Sequence, residues 1–300
     1  MILDGALATE LERRGADLRD PLWSAKLLIE QPDLIRAVHR DYFEAGADVA
    51  TTSTYQATFA AFERRGIDAA RAAQLMRDSV ALALAARDEF WSQCSQRVDR
   101  SRPLIAASVG PYGAMLADGS EYRGKYGVSE TELADFHRPR LAVLVQTGAD
   151  LLACETIPSL GEALVLARLL QSFPDTCAWV SFCCRDGEHT HEGQRIGECV
   201  AELNQYVQIV SVGVNCTRPE YIGALLRRMR ECTDKPLLVY PNSGEHYDAE
   251  AKRWFGRAEV TPLAQQARAW HALGARLIGG CCRTTPEDIR AVRMSLLPCA

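Results

Sequence analysis

The 300-residue sequence has no apolar run approaching the roughly 18 residues of a membrane-spanning helix, so a membrane partner is not expected. Its opening, MILDGALATELERRG, has neither a positive start nor an apolar stretch and does not read as a secretory signal. No block of Lys and Arg is present and the net charge is -5, which leaves no basic stripe for a nucleic acid. No Gly-x-Gly-x-x-Gly follows a strand at the head of a βαβ unit, so a Rossmann-type nucleotide or S-adenosylmethionine site is not supported. Low-complexity segments and Pro- or Gly-rich linkers are missing too, and residues 1–300 read as one domain. The 11 cysteines are odd in number and scattered along a chain too long to need staples. Reduced thiols, a metal-binding subset and a cytoplasmic location fit that usage better than a disulfide framework.

What is present is an alternation of short apolar runs with helix-period segments. EAGADVATTSTY at 44–55, QTGADLLACET at 146–156 and ALGARLIGGCC at 272–282 each predict a helix ending in Gly and feeding a strand. Five further runs, at 1–4, 103–110, 178–182, 209–216 and 236–242, bring the predicted strands to eight. Eight strands alternating with helices predict an α/β fold, a single-domain (β/α)8 TIM barrel, with a doubly wound open sheet as the other solution. The irregular stretches 5–32, 109–128, 183–196 and 241–261 all follow a strand and precede a helix. In a barrel such loops crowd the C-terminal face, where active sites lie.

Three cysteines share that rim. Cys216 ends the sixth predicted strand, and Cys281 with Cys282 follows the eighth, after Gly279 and Gly280, read here as letting the backbone turn. Three thiolates and one open position suit a catalytic zinc site. The adjacent pair is a weak signal, since the spacing alone also suits buried thiols acting as small hydrophobes and Cys183 with Cys184 forms a second such pair. A vicinal disulfide is disfavoured in a reducing compartment. Glu155 lies inside an apolar run, where an unpaired carboxylate is costly, so a partner is expected for it. Asp4 reads either as a helix N-cap or as a site residue.

GVNC at 213–216 with GGCCRTTPEDI at 279–289, LDGALATEL at 3–11 and ACET at 153–156 resembles the zinc-dependent homocysteine S-methyltransferase family. SVGPYGAMLADGSEYRGKY at 108–126 and YPNSGEHYD at 240–248 look like its S-methylmethionine-using branch, and the matches run from residue 2 to about 290. The resemblance implies Zn2+ held by Cys216, Cys281 and Cys282, with the fourth position taken by the sulfur of L-homocysteine. Three anionic ligands leave that sulfur electron-rich, so it can attack the methyl of S-methylmethionine or, less efficiently, S-adenosylmethionine, giving L-methionine. By the same resemblance Asp4 and Glu155 meet the amino acid's ammonium. Backbone N–H groups at Ser108 and Val109 are read as meeting its carboxylate. Tyr55, ahead of Tyr112, Tyr122 and Tyr240, offers an aromatic face to the sulfonium. Asn242 is read as a substrate-binding residue that, with Ser243, donates to the metal-bound sulfurs. His246 is read as structural or gating, because this methyl transfer needs no general base.

Competing signals are weaker. EHTHE at 188–192 lacks the helical spacing of a zincin, and DFHRPR at 135–140 starts like a cobalamin signature but has Arg140 where Gly is required. Cys154, inside a strand, reads as core. A metal-dependent barrel hydrolase would want His and Asp at the strand ends, and a non-catalytic zinc or thiol protein would not need Asp4 and Glu155 on the same rim. The partners expected are small molecules, and a monomer is favoured.

Overall fold

The computed structural model describes residues 1–18, 20, 22–95, 100–248, 253–255 and 261–297. Nine strands form among these residues: β1 (Val49–Thr51), β2 (Leu104–Val109), β3 (Leu151–Ile157), β4 (Ala178–Phe182), β5 (Ile209–Asn215), β6 (Leu237–Tyr240), β7 (His246–Asp248), β8 (Arg253–Phe255) and β9 (Ala275–Ile278). Seven of them make one parallel sheet in the order β1-β2-β3-β4-β5-β6-β9. This is a curled, helix-covered parallel sheet of seven strands, one fewer than predicted.

The missing strand is the first. Residues 1–4 form no ladder; they contribute two isolated parallel bridges, Ile2 to Ile278 on one side and Leu3 to Val49 on the other. Only two residues are paired before the chain turns into the helix Leu7–Arg13, too few for a regular strand. The 241–261 stretch, expected to be irregular, carries the small antiparallel pair β7-β8.

Helices separate the parallel strands as the periodicity implied. The helix Pro32–Ala45 buries Ile35, Val38, His39, Tyr42 and Phe43, the three-and-four spacing of one apolar face. The three predicted helix-ending glycines, Gly46, Gly148 and Gly274, have φ of 112°, 83° and 103°, a region where a side chain is strained. The helices Glu130–Leu144 and Pro286–Leu296 begin with capping boxes, Ser129 with Glu132 and Thr285 with Asp288. No helix among the described residues is long and apolar enough to cross a membrane.

Two apolar layers result. A large one lies between sheet and helices. A small separate cluster of Leu3, Val49, Ala106, Ala153, Trp179, Leu238 and Tyr240, flanked by Leu104, Leu151 and Leu277, lies on the inner face. Side chains alternate along a strand, so this cluster fixes which parity of each strand faces inward. Continuing it toward the C-terminal ends brings Thr51, Ser108, Glu155, Ser181, Asn215 and Tyr240 onto the same face. Apolar below and polar at the last inward step, the strands build a floor and then a site.

Candidate active site and metal centre

The sulfurs of Cys216, Cys281 and Cys282 all lie within 4.8 Å of one another, and no other group of three metal-ligating side chains forms among the described residues. Cys216 follows β5 with φ 47°, a left-handed turn that is uncommon outside glycine. Its sulfur is 3.6 Å from that of Cys282. The adjacent pair is placed by backbone: the Cys281 N–H donates to the Pro241 carbonyl at 2.7 Å, and the Cys282 carbonyl accepts from the Ser243 N–H at 3.1 Å.

The glycines before the pair act differently from expectation. Neither has a left-handed φ; Arg283 takes that conformation instead, at φ 71°. Gly279 and Gly280 are there for space. A Cβ on Gly279 would fall 2.6 Å from the Leu3 Cβ, and one on Gly280 would fall 2.3 Å from the Thr284 hydroxyl. The Gly280 N–H donates to the Asp4 carbonyl, so bare backbone is what lets the thiols approach the first bridge.

Hydrogen bonding among the thiols shares their protons unevenly. Interaction with Cys281, then with Cys282, draws Cys216 well below the ordinary thiol range against the opposing effect of burial. Cys281 and Cys282 are pushed up, Cys216 being the first cause for both. A cluster that already favours one thiolate is a soft anionic donor set, the chemistry a thiophilic cation requires.

The carboxylates of Asp4 and Glu155, at the strand ends, belong to residues that line the same cavity. Asp4 is 4% exposed and accepts from the Thr51 N–H at 2.8 Å and from its hydroxyl at 3.2 Å. Burial still pushes its carboxyl well above the usual range, with Glu155 adding to the effect. Glu155 accepts from the Ser108 hydroxyl, and burial first, then Cys281, raises it to about 7 despite that bond. The next residue, Thr156, has φ 61°, and the β3-β4 register slips between Cys154 and Ile157. Alternation from Ala153 points Glu155 inward, and this bulge lets Thr156 line the cavity beside it.

Sequence reasoning missed the residue that organises this rim. Asn215, fully buried, accepts from the Thr156 N–H at 2.7 Å and the Ser181 hydroxyl at 2.8 Å. Its amide nitrogen donates to the Thr156 hydroxyl at 2.8 Å and to the Cys281 sulfur at 3.9 Å. Ser181 in turn accepts from the Tyr240 hydroxyl at 2.6 Å, and that hydroxyl accepts from the Trp179 indole at 3.1 Å. The inward parity of each strand carried the signal.

Other expected residues scatter. Tyr55, Tyr122 and Tyr240 line the cavity, whereas Tyr112 packs against Tyr126 and Phe136. The Ser108 N–H is taken by the Thr52 hydroxyl at 3.1 Å, so Ser108 contributes through its side chain. Val109 is buried in the outer core. The Asn242 carboxamide oxygen caps a turn at the Gly244 N–H, 2.9 Å away, and Asn242 does not line the cavity. Ser243 meets Glu245 rather than a cysteine sulfur. His189 bonds Asp186, and His191 lies edge-on to Tyr122 with ring centroids 5.6 Å apart. The His246 side chain lies outside the described residues. Cys154 is core, as read.

A curled parallel sheet whose C-terminal rim gathers three thiols and two buried carboxylates defines a barrel-like enzyme with a thiol-lined centre. A profile of the family "Homocysteine S-methyltransferase" matches residues 1–296. Homocysteine S-methyltransferase YbgG of Bacillus subtilis (strain 168) is 54% identical over 292 residues, 97% of this chain and 93% of that protein. Homocysteine S-methyltransferase of Escherichia coli (strain K12) is 51% identical over 294 residues, 98% and 94%. The crystal structure of the homocysteine methyltransferase MmuM from Escherichia coli in its metallated form superposes with TM-score 0.88 at 48% identity, covering 98% of this chain and 95% of that one. The chain belongs to the homocysteine S-methyltransferase family and is a methyltransferase. The hydrolase and storage readings fall away.

Proposed function

We propose that this protein moves a methyl group from S-methylmethionine, or less efficiently S-adenosylmethionine, to the thiol of L-homocysteine, forming L-methionine, with Zn2+ held by Cys216, Cys281 and Cys282. The observation that carries the reading is the convergence of those three sulfurs within 4.8 Å in a cavity that also presents Asp4 and Glu155. The donor set fits zinc: two sulfurs on a tetrahedral ion at zinc–thiolate bond length stand about 3.8 Å apart, and the Cys216 and Cys282 sulfurs are 3.6 Å apart. Bound there, zinc supplies the ionised form of a substrate thiol whose free pKa, about 8.5, would leave it mostly protonated at neutral pH.

The chain's own residues do the rest. Asp4 and Glu155, both raised by burial, take the homocysteine ammonium, whose arrival favours their ionised forms. Ser108 enters through its hydroxyl on Glu155, while Val109, packed in the outer core, and Asn242, which accepts from the Gly244 N–H, serve as frame. Asn215 donates to Cys281, and Tyr122 lies within hydrogen-bond reach of Cys216, so both hold sulfur lone pairs in place. Tyr55 offers its ring to the sulfonium without the tight pairing a carboxylate would impose on a charge that is lost in the reaction. The methyl carbon passes to the homocysteine sulfur, the electron pair of the broken bond stays on the donor sulfur, and the donor leaves as a neutral thioether. The thiol proton goes to solvent.

The same reading takes the curled sheet as a closed (β/α)8 barrel in a single domain, residues 1–300, with Ile2 and Leu3 as its eighth stave. Backbone bonds on both sides support it: Leu3 N–H to Ile278 and Asp4 N–H to Val49, at 2.9 and 3.0 Å. A cytoplasmic location is supported by ten described cysteines that are all free thiols. The test measures metal content and methyl transfer together. Wild type should carry about one zinc per chain and methylate homocysteine with S-methylmethionine, and Cys216→Ser should lose both. A fully zinc-loaded wild type that uses neither sulfonium donor would overturn the reaction, and a Cys216→Ser variant with unchanged zinc would overturn the site.

A further inference from the structure

Two residues that line the cavity each carry a buried acceptor atom with no donor among the described residues. Gln56, 8% exposed, donates its amide nitrogen to the Ala114 carbonyl at 2.8 Å. That bond fixes the orientation of the amide, because only the nitrogen can donate. Its Oε1 is buried with no hydrogen-bond partner among the described residues. The Oε2 of Glu121, on the helical turn Ser120–Tyr122, is buried and unpartnered in the same way. Both residues line the cavity that holds the three cysteines. The Glu121 charge reaches Cys216 and Tyr55, so this end of the cavity adjoins the thiols. Burial first raises Glu121 to about 7, although its own backbone N–H opposes the shift.

An unpaired buried acceptor is costly, and two beside one cavity describe what is to enter it. The entering group must carry N–H or O–H donors, and the carboxylate favours a positive charge. A sulfonium has the charge but no such hydrogen, so it satisfies neither atom. A primary ammonium has the charge and three N–H bonds. Homocysteine's ammonium is already placed at Asp4 and Glu155, and these sit on the strand ends, whereas Gln56 and Glu121 sit on the loops after β1 and β2.

We propose that Gln56 and Glu121 form the α-ammonium subsite for the sulfonium methyl donor, Glu121 pairing with its charge and Gln56 accepting a second N–H. This rests on the methyl-transfer reading above. It makes the donor's free amino-acid end, rather than its sulfonium alone, the feature that is recognised.

The test is calorimetric binding to zinc-loaded protein, which needs no turnover. S-methylmethionine should bind wild type, and Glu121→Gln should raise its Kd at least about tenfold, the loss expected for a charged hydrogen bond. Homocysteine binding and zinc content should stay within about twofold. A donor analogue with hydrogen in place of the amino group, (3-carboxypropyl)dimethylsulfonium, should bind wild type at least about tenfold more weakly than S-methylmethionine and bind Glu121→Gln as well as it binds wild type. Gln56→Leu should show the same pattern at smaller size. Equal loss of both sulfonium ligands, loss of homocysteine instead, or no binding of S-methylmethionine to wild type overturns the subsite. Loss confined to the amino-bearing donor in a protein that transfers no methyl group would keep the subsite and sink the reaction.

Discussion

The Tyr122 hydroxyl lies 3.1 Å from the Cys216 sulfur, joining the loop after β2 to the end of β5 across the mouth of the cavity. With Cys216 ionised the hydroxyl is the donor, and such bonds to metal-binding sulfur orient the ligand. Tyr122→Phe removes that hydrogen and little else, so the affinity for zinc should fall by about tenfold. Competition with a chromophoric chelator measures it, and an unchanged affinity would show that the contact does not orient the thiolate.

Asn215 is expected to be a stability residue as well as a site residue. It holds the N–H and the hydroxyl of Thr156, a β-branched residue with φ 61°, and it accepts from Ser181. Asn215→Ala strands several buried groups and releases the strained turn, at a cost of about 3 kcal/mol. Urea denaturation should show the midpoint falling with little change in slope.

His39 gives the protein an acid-sensitive window. It is fully buried on the helix Pro32–Ala45, and neither ring nitrogen has a partner among the described residues. Burial lowers its pKa from 6.5 to about 4. Below 6.5 the unfolded chain takes up a proton that the fold refuses. The stabilisation is therefore complete above pH 6.5 and is lost as pH falls toward 4, about 3 kcal/mol in all. His39→Leu should flatten the decline of stability between pH 7 and 5, and parallel curves for the two proteins would remove His39 as its cause.

Gly280→Ala tests the claim that the glycine pair provides room. The new methyl meets the Thr284 hydroxyl, which donates to the Cys281 carbonyl at 2.6 Å. Overpacking there should cost about 1–3 kcal/mol and displace Cys281, lowering zinc occupancy along with stability. Full occupancy at wild-type stability would mean that the rim relaxes freely.

Much of this was legible in the sequence, for particular reasons. The apolar runs placed the parallel strands because strands buried on both faces leave such runs. Glu155 was visible because a carboxylate inside one of them needs a partner. The three cysteines were visible because two strand ends carried them, one singly and one as an adjacent pair. The first strand was overcounted, since two bridging residues write the same apolar signature as a full strand. Gly279 and Gly280 were misread because a sequence shows that a side chain is missing but not whether conformation or space requires it. Asn215 escaped because its partners lie on other strands, and Tyr122, read only as a face for the sulfonium, escaped as a partner of Cys216 because that contact joins segments 94 residues apart.

The three thiols span 66 positions, and the Thr284 hydroxyl that receives the Ala6 N–H spans 278. Contacts this distant in the chain close late, after loop-closure entropy has been met by the rest of the sheet. During synthesis the centre has no partial form, because Cys216 emerges well before its two companions. Metal capture should then coincide with the final step of maturation, so a chain halted before β9 would have an almost complete sheet and no metal-binding pocket at all.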